Sequence, residues 1–250
     1  MANRISNLLM SDHKYIWKPF ASTGAWMAEE PLIIEESRDC FIKDIRGHWY
    51  IDGLSSTWVT IHDRNRAEIN DAIRSQLDKF AHPTLPIPGN VPSILLAERL
   101  AKLLRKSLGK GAPSRVSYAG DGATAIESAL KMAFQYWQSK GKKRKKAFIS
   151  FSGSYHGDTL GALSLSGIDI FRKDFAPLLF KTYFSHYPYC YRCWNNKHPD
   201  DCGLLCLEVL DKLLKVRQEE VAALIIEPLI QSEGGMIPAP EGFLSGVRSL

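Results

Sequence analysis

Three short stretches combine residue types that could bind a flat, anionic ligand and act on it. The first is AGDGATAIE (residues 119–127), where small residues stand between an apolar run and a helical pattern. Small side chains let backbone N–H groups approach an anion, and the helix dipole favours negative charge at that end, so a phosphate is the natural ligand. The glycines fit neither GxGxxG nor the Walker spacing, which argues against a dinucleotide or ATP site of those kinds. The second is GSYHGDT (153–159), whose Tyr155–His156 pair, set between glycines, can lay an aromatic ring against a flat ligand. A packed tyrosine beside a satisfied histidine is the alternative. The third is EPLIQSEGGM (227–236), where Glu227 follows a strongly apolar segment and is either a charge escaping to solvent or a group of a site. Separately, Cys190, Cys193, Cys202 and Cys206 are spaced so that four thiolates could complete a tetrahedral zinc site. Buried free thiols are the alternative there, and no metal is assigned.

The elements that must position these stretches follow from periodicity. An apolar run at 116–119, a helix over 123–138, the strand AFISF, a strand over 179–184, a helix over 204–216 and a buried strand over 221–226 take turns along the chain. That alternation is the pattern of an α/β fold with a parallel sheet covered by helices. In such a sheet ligands collect beyond the carboxyl ends of the strands, so the three stretches would face one crevice. Ahead of this part, CFIKDIRGHWYID (40–52) alternates on both sides of Arg46–Gly47 and reads as an antiparallel hairpin. Ile69, Ile73, Leu77 and Phe80 mark an amphipathic helix that ends before His82–Pro83; a loop rich in Pro and Gly follows, then a helix over 93–108 closed by Gly109. The final EGFLSGVRSL begins a further helix with no stop signal, so the chain is expected to be the front part of a longer polypeptide or the product of a split or truncated gene.

The 250 residues, 45% hydrophobic and 24% charged, are those of an ordinary globular protein and exclude disorder, collagen-like repeats and disulfide-dense mini-scaffolds. The net charge of +5 is local: six of the 32 basic residues lie in 140–146, and without them 26 stand against 27 acidic residues. KGKKRKK has no interleaved aromatics and reads as a solvated connection, so no nucleic-acid partner is expected. The N-terminus has no apolar h-region, and no run reaches the ~18 apolar residues of a spanning helix, so no membrane partner is expected and the location is taken as cytoplasmic. Five cysteines in a chain able to bury a core point to reduced thiols.

Taken together, YAGDGATAIESALKMAFQYWQSKGK, FSGSYHGDTLGALS and IIEPLIQSEGGM resemble the class III aminotransferases, which use pyridoxal 5′-phosphate. IWKPFAS and DGLSSTWVTIH are most similar to the branch of that family that works in biotin synthesis, and the resemblance runs from Trp17 to the last residue. It implies a fold type I PLP-dependent transferase: a parallel-rich sheet of the large domain, an antiparallel N-terminal segment and a C-terminally incomplete chain. Residues 1–65 would contribute to the small domain and substrate site, and 66–250 would form part of the large cofactor-binding domain. It also implies small-molecule substrates, a homodimer at full length, and transfer of an amino group from S-adenosylmethionine or lysine to 8-amino-7-oxononanoate, giving 7,8-diaminononanoate.

Carried over by this resemblance, Gly122 and Ala123 hold the cofactor phosphate, Tyr155 stacks near the pyridine ring with His156 beside it, and Glu227 supports the group on the pyridinium nitrogen. Tyr155 and Glu227 are thereby also the catalytic candidates. Ala123 stands where the family often has serine, which removes a hydroxyl donor and keeps the amide. On the substrate side, Phe20 replaces a tyrosine, and Thr57–Trp58 replaces a pair of tryptophans, so the amino donor does not follow from the resemblance. The family's Schiff-base lysine and its pyridinium aspartate are expected beyond Leu250, which makes this chain alone inactive. Two alternatives remain: another class III omega-aminotransferase, and a noncatalytic truncated chain or pseudoenzyme.

Overall fold

The computed structural model describes residues 2–19, 22–82, 89–198 and 201–250. They fall into two compact units, Met1–Arg99 and Leu100–Leu250. The first unit holds α1 (Ala2–Tyr15), α2 (Thr23–Ala28), an antiparallel sheet of β1 (Ile34–Arg38), β2 (Phe41–Asp44) and β3 (Trp49–Ile51), then α3 (Ser55–Trp58) and α4 (Ala67–Leu77). The hairpin expected at 40–52 is β2–β3, with Phe41 opposite Ile51 and Lys43 opposite Trp49. Asp44 organises its reversal: the carboxylate accepts from Arg46 N at 2.9 Å, His48 N at 2.8 Å and Tyr50 Oη at 2.9 Å. Desolvation acts to raise this carboxyl, but the hydrogen bonds from His48, Tyr50 and Arg46 win and hold it down to about 2. The amphipathic helix is α4, which stops at Leu77 so that Phe80 falls beyond it, and Ile69, Ile73 and Leu77 are all exposed. Most of the loop expected after it, residues 83–88, lies outside the described residues.

After α5 (Val91–Leu108), which runs across the division, the second unit contains α6 (Gly122–Ser139), β4 (Ala147–Phe151), α7 (Leu160–Leu165), α8 (Asp169–Arg172), β5 (Thr182–Ser185), α9 (Leu205–Arg217), β6 (Val221–Leu224), a small ladder of β7 (Ile230–Gln231) and β8 (Ile237–Pro238), and α10 (Phe243–Ser249). The sheet order is β5-β4-β6, both pairs parallel. Strand β4 explains the layering. Its side chains alternate, so Phe148 meets Leu130 of α6 and Leu165 of α7, whereas Ile149 and Phe151 meet Tyr187, Leu210 of α9 and Phe243 of α10. A central strand buried on both faces is apolar except where a polar side chain finds partners, and the one polar side chain of AFISF, the fully buried Ser150, is hydrogen-bonded to Ser154 and His156.

One expected strand is missing and two expected boundaries change. The apolar run 116–119 forms no strand, because a strand exists only where a neighbour takes its hydrogen bonds, and none pairs with it among the described residues. Strand β5 starts at Thr182 rather than 179, after a 3-10 stretch, Lys173–Leu178, that carries Pro177. Strand β6 ends at Leu224, although Ile225 N still donates to Ile149 O at 2.9 Å.

Candidate functional site

The loops that leave β4 and β6 and the first turn of α6 meet in one place. Asp121 caps α6: its Oδ1 accepts from Thr124 N at 2.8 Å, and Thr124 Oγ1 in turn accepts from Asp121 N at 3.2 Å. The next two amides, Gly122 and Ala123, have no partner among the described residues, as the first amides of any helix lack intrahelical acceptors. They line an open cavity of about 680 Å³ together with Asp121, Tyr155, His156 and Asp158. The first two sequence stretches therefore face each other.

Tyr155 is fixed at three points. Its N–H donates to Glu227 Oε2 at 3.0 Å, its hydroxyl donates to Asp158 Oδ2 at 2.7 Å, and its ring meets Phe171 edge-on at 5.9 Å. Burial, then the hydrogen bond to Asp158, pushes the phenol well above its ordinary range, so it stays protonated. Glu227 also accepts from Ser232 N at 3.0 Å through Oε1, so one carboxylate ties the third stretch to the second. Its neighbour in that loop, buried Gln231, donates to Ser152 O at 3.1 Å.

His156 turns towards the sheet as well as lining the cavity. Its Nε2 lies 3.2 Å from Ser150 Oγ, which lies 2.9 Å from Ser154 Oγ, and its own N–H donates to Ser166 Oγ at 3.1 Å. Burial pushes its pKa down to about 4. The unfolded chain, with an ordinary value near 6.5, therefore takes up a proton first as the pH falls, and that stability, about 3 kcal/mol, is complete above pH 6.5 and lost towards pH 4. Thermal melts between pH 7 and 4 are expected to show this loss, and His156→Gln should flatten it; equal slopes would contradict a neutral, half-buried imidazole.

Of the substrate-side candidates, Phe20 lies outside the described residues. Thr57 and Trp58 sit in α3, whose four residues all have positive φ, from 48° to 66°. Left-handed backbone at non-glycine residues is costly, and the turn is braced by Asp52, which accepts from Ser56 N at 2.9 Å and pairs with Arg64. Cys190, Cys193, Cys202 and Cys206 are free thiols, and burial pushes the Cys190 and Cys206 thiols up. Among the described residues no three His, Cys, Asp or Glu groups stand in a geometry that would hold a metal ion.

Asp158 and Glu127 lie inside the GSYHGDT and AGDGATAIE stretches, and their part in the site emerges only from the structure. The signal for Asp158 is its place three residues after Tyr155. For Glu127 it is the i, i+4 spacing from Ala123, which puts both on one face of α6.

The family described as Aminotransferase class-III matches residues 23–250. Adenosylmethionine-8-amino-7-oxononanoate aminotransferase of Geobacter sulfurreducens is 45% identical over 240 residues, covering 96% of this chain and 52% of that protein. Its counterpart in Methanocaldococcus jannaschii is 42% identical over 243 residues. The crystal structure of an enzyme of that name from M. jannaschii superposes with a TM-score of 0.87 at 39% identity, over 98% of this chain and 52% of the other. A PLP-bound amine transaminase from an uncultivated Pseudomonas species gives 0.85 at 30% identity, over 94% and 52%. The chain spans about half the length of the curated relatives it matches. The α/β architecture built on β4 is thus the transaminase fold, and the chain belongs to the class III aminotransferases.

Proposed function

We propose that the protein is a pyridoxal 5′-phosphate-dependent aminotransferase that moves an amino group from S-adenosylmethionine, or lysine, to 8-amino-7-oxononanoate. The observation that carries this reading is the meeting, in one cavity, of the two free amides of α6 with the Tyr155 ring and the Glu227-tied loop. The names of the relatives supply the substrates. Residues 66–250 would then be the cofactor-binding part and residues 1–65, with Phe20, Thr57 and Trp58, would serve the substrate side. A cytoplasmic homodimer with no nucleic-acid or membrane partner belongs to the same reading. The exposed apolar positions of α4 and α5 suit a subunit interface, and no helix among the described residues is long and apolar enough to cross a membrane.

The residues fit the cofactor. Gly122 and Ala123 N–H groups would hold the phosphate, and at Gly122 nothing lies within 4 Å of where a Cβ would be, so the approach is open. Tyr155 would face the ring and His156 would support that loop; Glu227 would keep the loop in place. When bound, the cofactor supplies the electron sink for amino transfer. The Asp121 carboxylate opposes part of this fit, because it caps the same helix end that an anion would use.

The experiment is a titration with pyridoxal 5′-phosphate and with pyridoxal, which lacks the phosphate. Tighter binding of the phosphate form is expected; equal binding would overturn the phosphate assignment. Asp121→Asn keeps a good N-cap and removes the like charge, so it should tighten the phosphate form several-fold, corresponding to about 1 kcal/mol, and leave pyridoxal unchanged. Assays of the protein expressed from its complete gene, with 8-amino-7-oxononanoate and either donor, then test the reaction. Transfer to other ketones or aldehydes alone would favour an omega-aminotransferase instead.

A further inference from the structure

The carboxylate of Glu127 is used in an unusual way. It stands one turn into α6, below Ala123, and its Oε1 accepts two hydrogen bonds from a different element: Thr159 Oγ1 at 2.6 Å and Gly161 N at 2.8 Å. Thr159 is the N-cap residue of α7, yet its side chain makes no capping bond to its own helix. Glu127 takes over that function from outside, satisfying an amide of the first turn of α7 that would otherwise be an orphan in a helix whose residues Gly161–Leu165 are buried.

The spacing is enforced twice. At Gly161 an added Cβ would overlap the Glu127 carboxylate, so only glycine lets the carboxylate come this close. One turn up the same face, a Cβ at Gly157 would lie 2.6 Å from the Cβ of Ala123. Loop 155–161 therefore touches α6 at two heights on one face. The upper contact is the turn with the free amides, and the lower one is Glu127.

We propose that Glu127 is a positioning residue that sets the distance between the anion-binding amides of Gly122 and Ala123 and the ring-facing side chain Tyr155, so that both halves of a phosphate-bearing aromatic ligand are held together. The proposal rests on the functional reading above for the identity of the ligand, but the clamp itself can be measured without a ligand. Two subsites held at a fixed spacing bind a linked ligand far better than its separate parts, and loosening the spacing removes that advantage while each subsite keeps its own affinity.

The test uses Glu127→Ala and Glu127→Gln against the parent protein with three probes: pyridoxal 5′-phosphate, pyridoxal and inorganic phosphate. Glu127→Ala is expected to lose on the order of 10-fold for pyridoxal 5′-phosphate and to change little for the two part-ligands. Glu127→Gln keeps an acceptor at Oε1 and should recover most of the loss. Equal losses for all three probes, or no loss at all, would overturn the proposal. Hydrogen exchange at the amides of Tyr155 and Gly161 gives the independent reading: it should speed up in Glu127→Ala and stay near the parent rate in Glu127→Gln. If the parent shows no preference for pyridoxal 5′-phosphate over pyridoxal, the functional reading fails, and the exchange rates still decide the clamp, unchanged rates in Glu127→Ala sinking it.

Discussion

Gly157→Ala is expected to pull the aromatic loop off α6, lowering stability by about 4 kcal/mol and weakening pyridoxal 5′-phosphate at least on the order of 10-fold. Two costs combine. Gly157 has φ of +125°, a region that side chains other than glycine avoid, at a cost of about 1–3 kcal/mol. The new methyl would also stand 2.6 Å from the Cβ of Ala123 and 3.0 Å from its Cα, and the second of these is backbone that cannot rotate away. Overpacking of that kind costs about 1–3 kcal/mol. Because Ala123 carries one of the two free amides, relief by moving either partner spoils the cavity. Urea unfolding with a parallel cofactor titration measures both effects; a variant within 1 kcal/mol of the parent that binds normally would mean the loop and helix are not held in this contact.

Phe151→Ala is expected to cost about 4 kcal/mol, since burying and then deleting a core phenylalanine costs about 3–5 kcal/mol. Phe151 is fully buried at the carboxyl end of β4, with Tyr187 edge-on at 6.0 Å and Phe243 at 5.9 Å. Its ring is the meeting point of the sheet, the segment after β5 and α10, so there is no exposed side from which the cavity could collapse. Guanidinium unfolding should show the drop, and hydrogen exchange in α10 should rise, because Phe243 loses its support. Phe151→Leu, closer in volume, should recover most of the loss. A loss below 1 kcal/mol for Phe151→Ala would show that α10 does not depend on this ring.

The parallel sheet was legible because its central strand must be apolar on both faces, and AFISF and the run from Val221 announce that directly. The three stretches of the candidate site were legible as one cluster because each follows or precedes an element of the same sheet, and loops at one end of a parallel sheet face one another. The run 116–119 misled, because apolar residues specify burial while strand pairing depends on a neighbour. The left-handed turn at Ser55–Trp58 was out of reach, since nothing in Ser-Ser-Thr-Trp favours positive φ, and the turn is held by its own backbone bonds, by the nearby Asp52 carboxylate and by Arg64 from further along the chain. Glu127 and Asp158 were hidden for the opposite reason. A glutamate on a helix and an aspartate in a loop are common, and only the position of Thr159, Gly161 and the Tyr155 hydroxyl gives them work.

The bond from Tyr155 N to Glu227 Oε2 joins residues 72 positions apart. Ribosomes add about 5–20 residues per second, so the aromatic loop is synthesised roughly 4 to 15 s before the carboxylate that fastens it exists. For that interval the newborn chain carries β4 and its glycine-rich loop with the α6 contacts alone and without this second latch. A chaperone that shields this stretch, or a slow codon cluster placed after the segment for β6, would act on the assembly of the site during translation while leaving the finished protein unchanged.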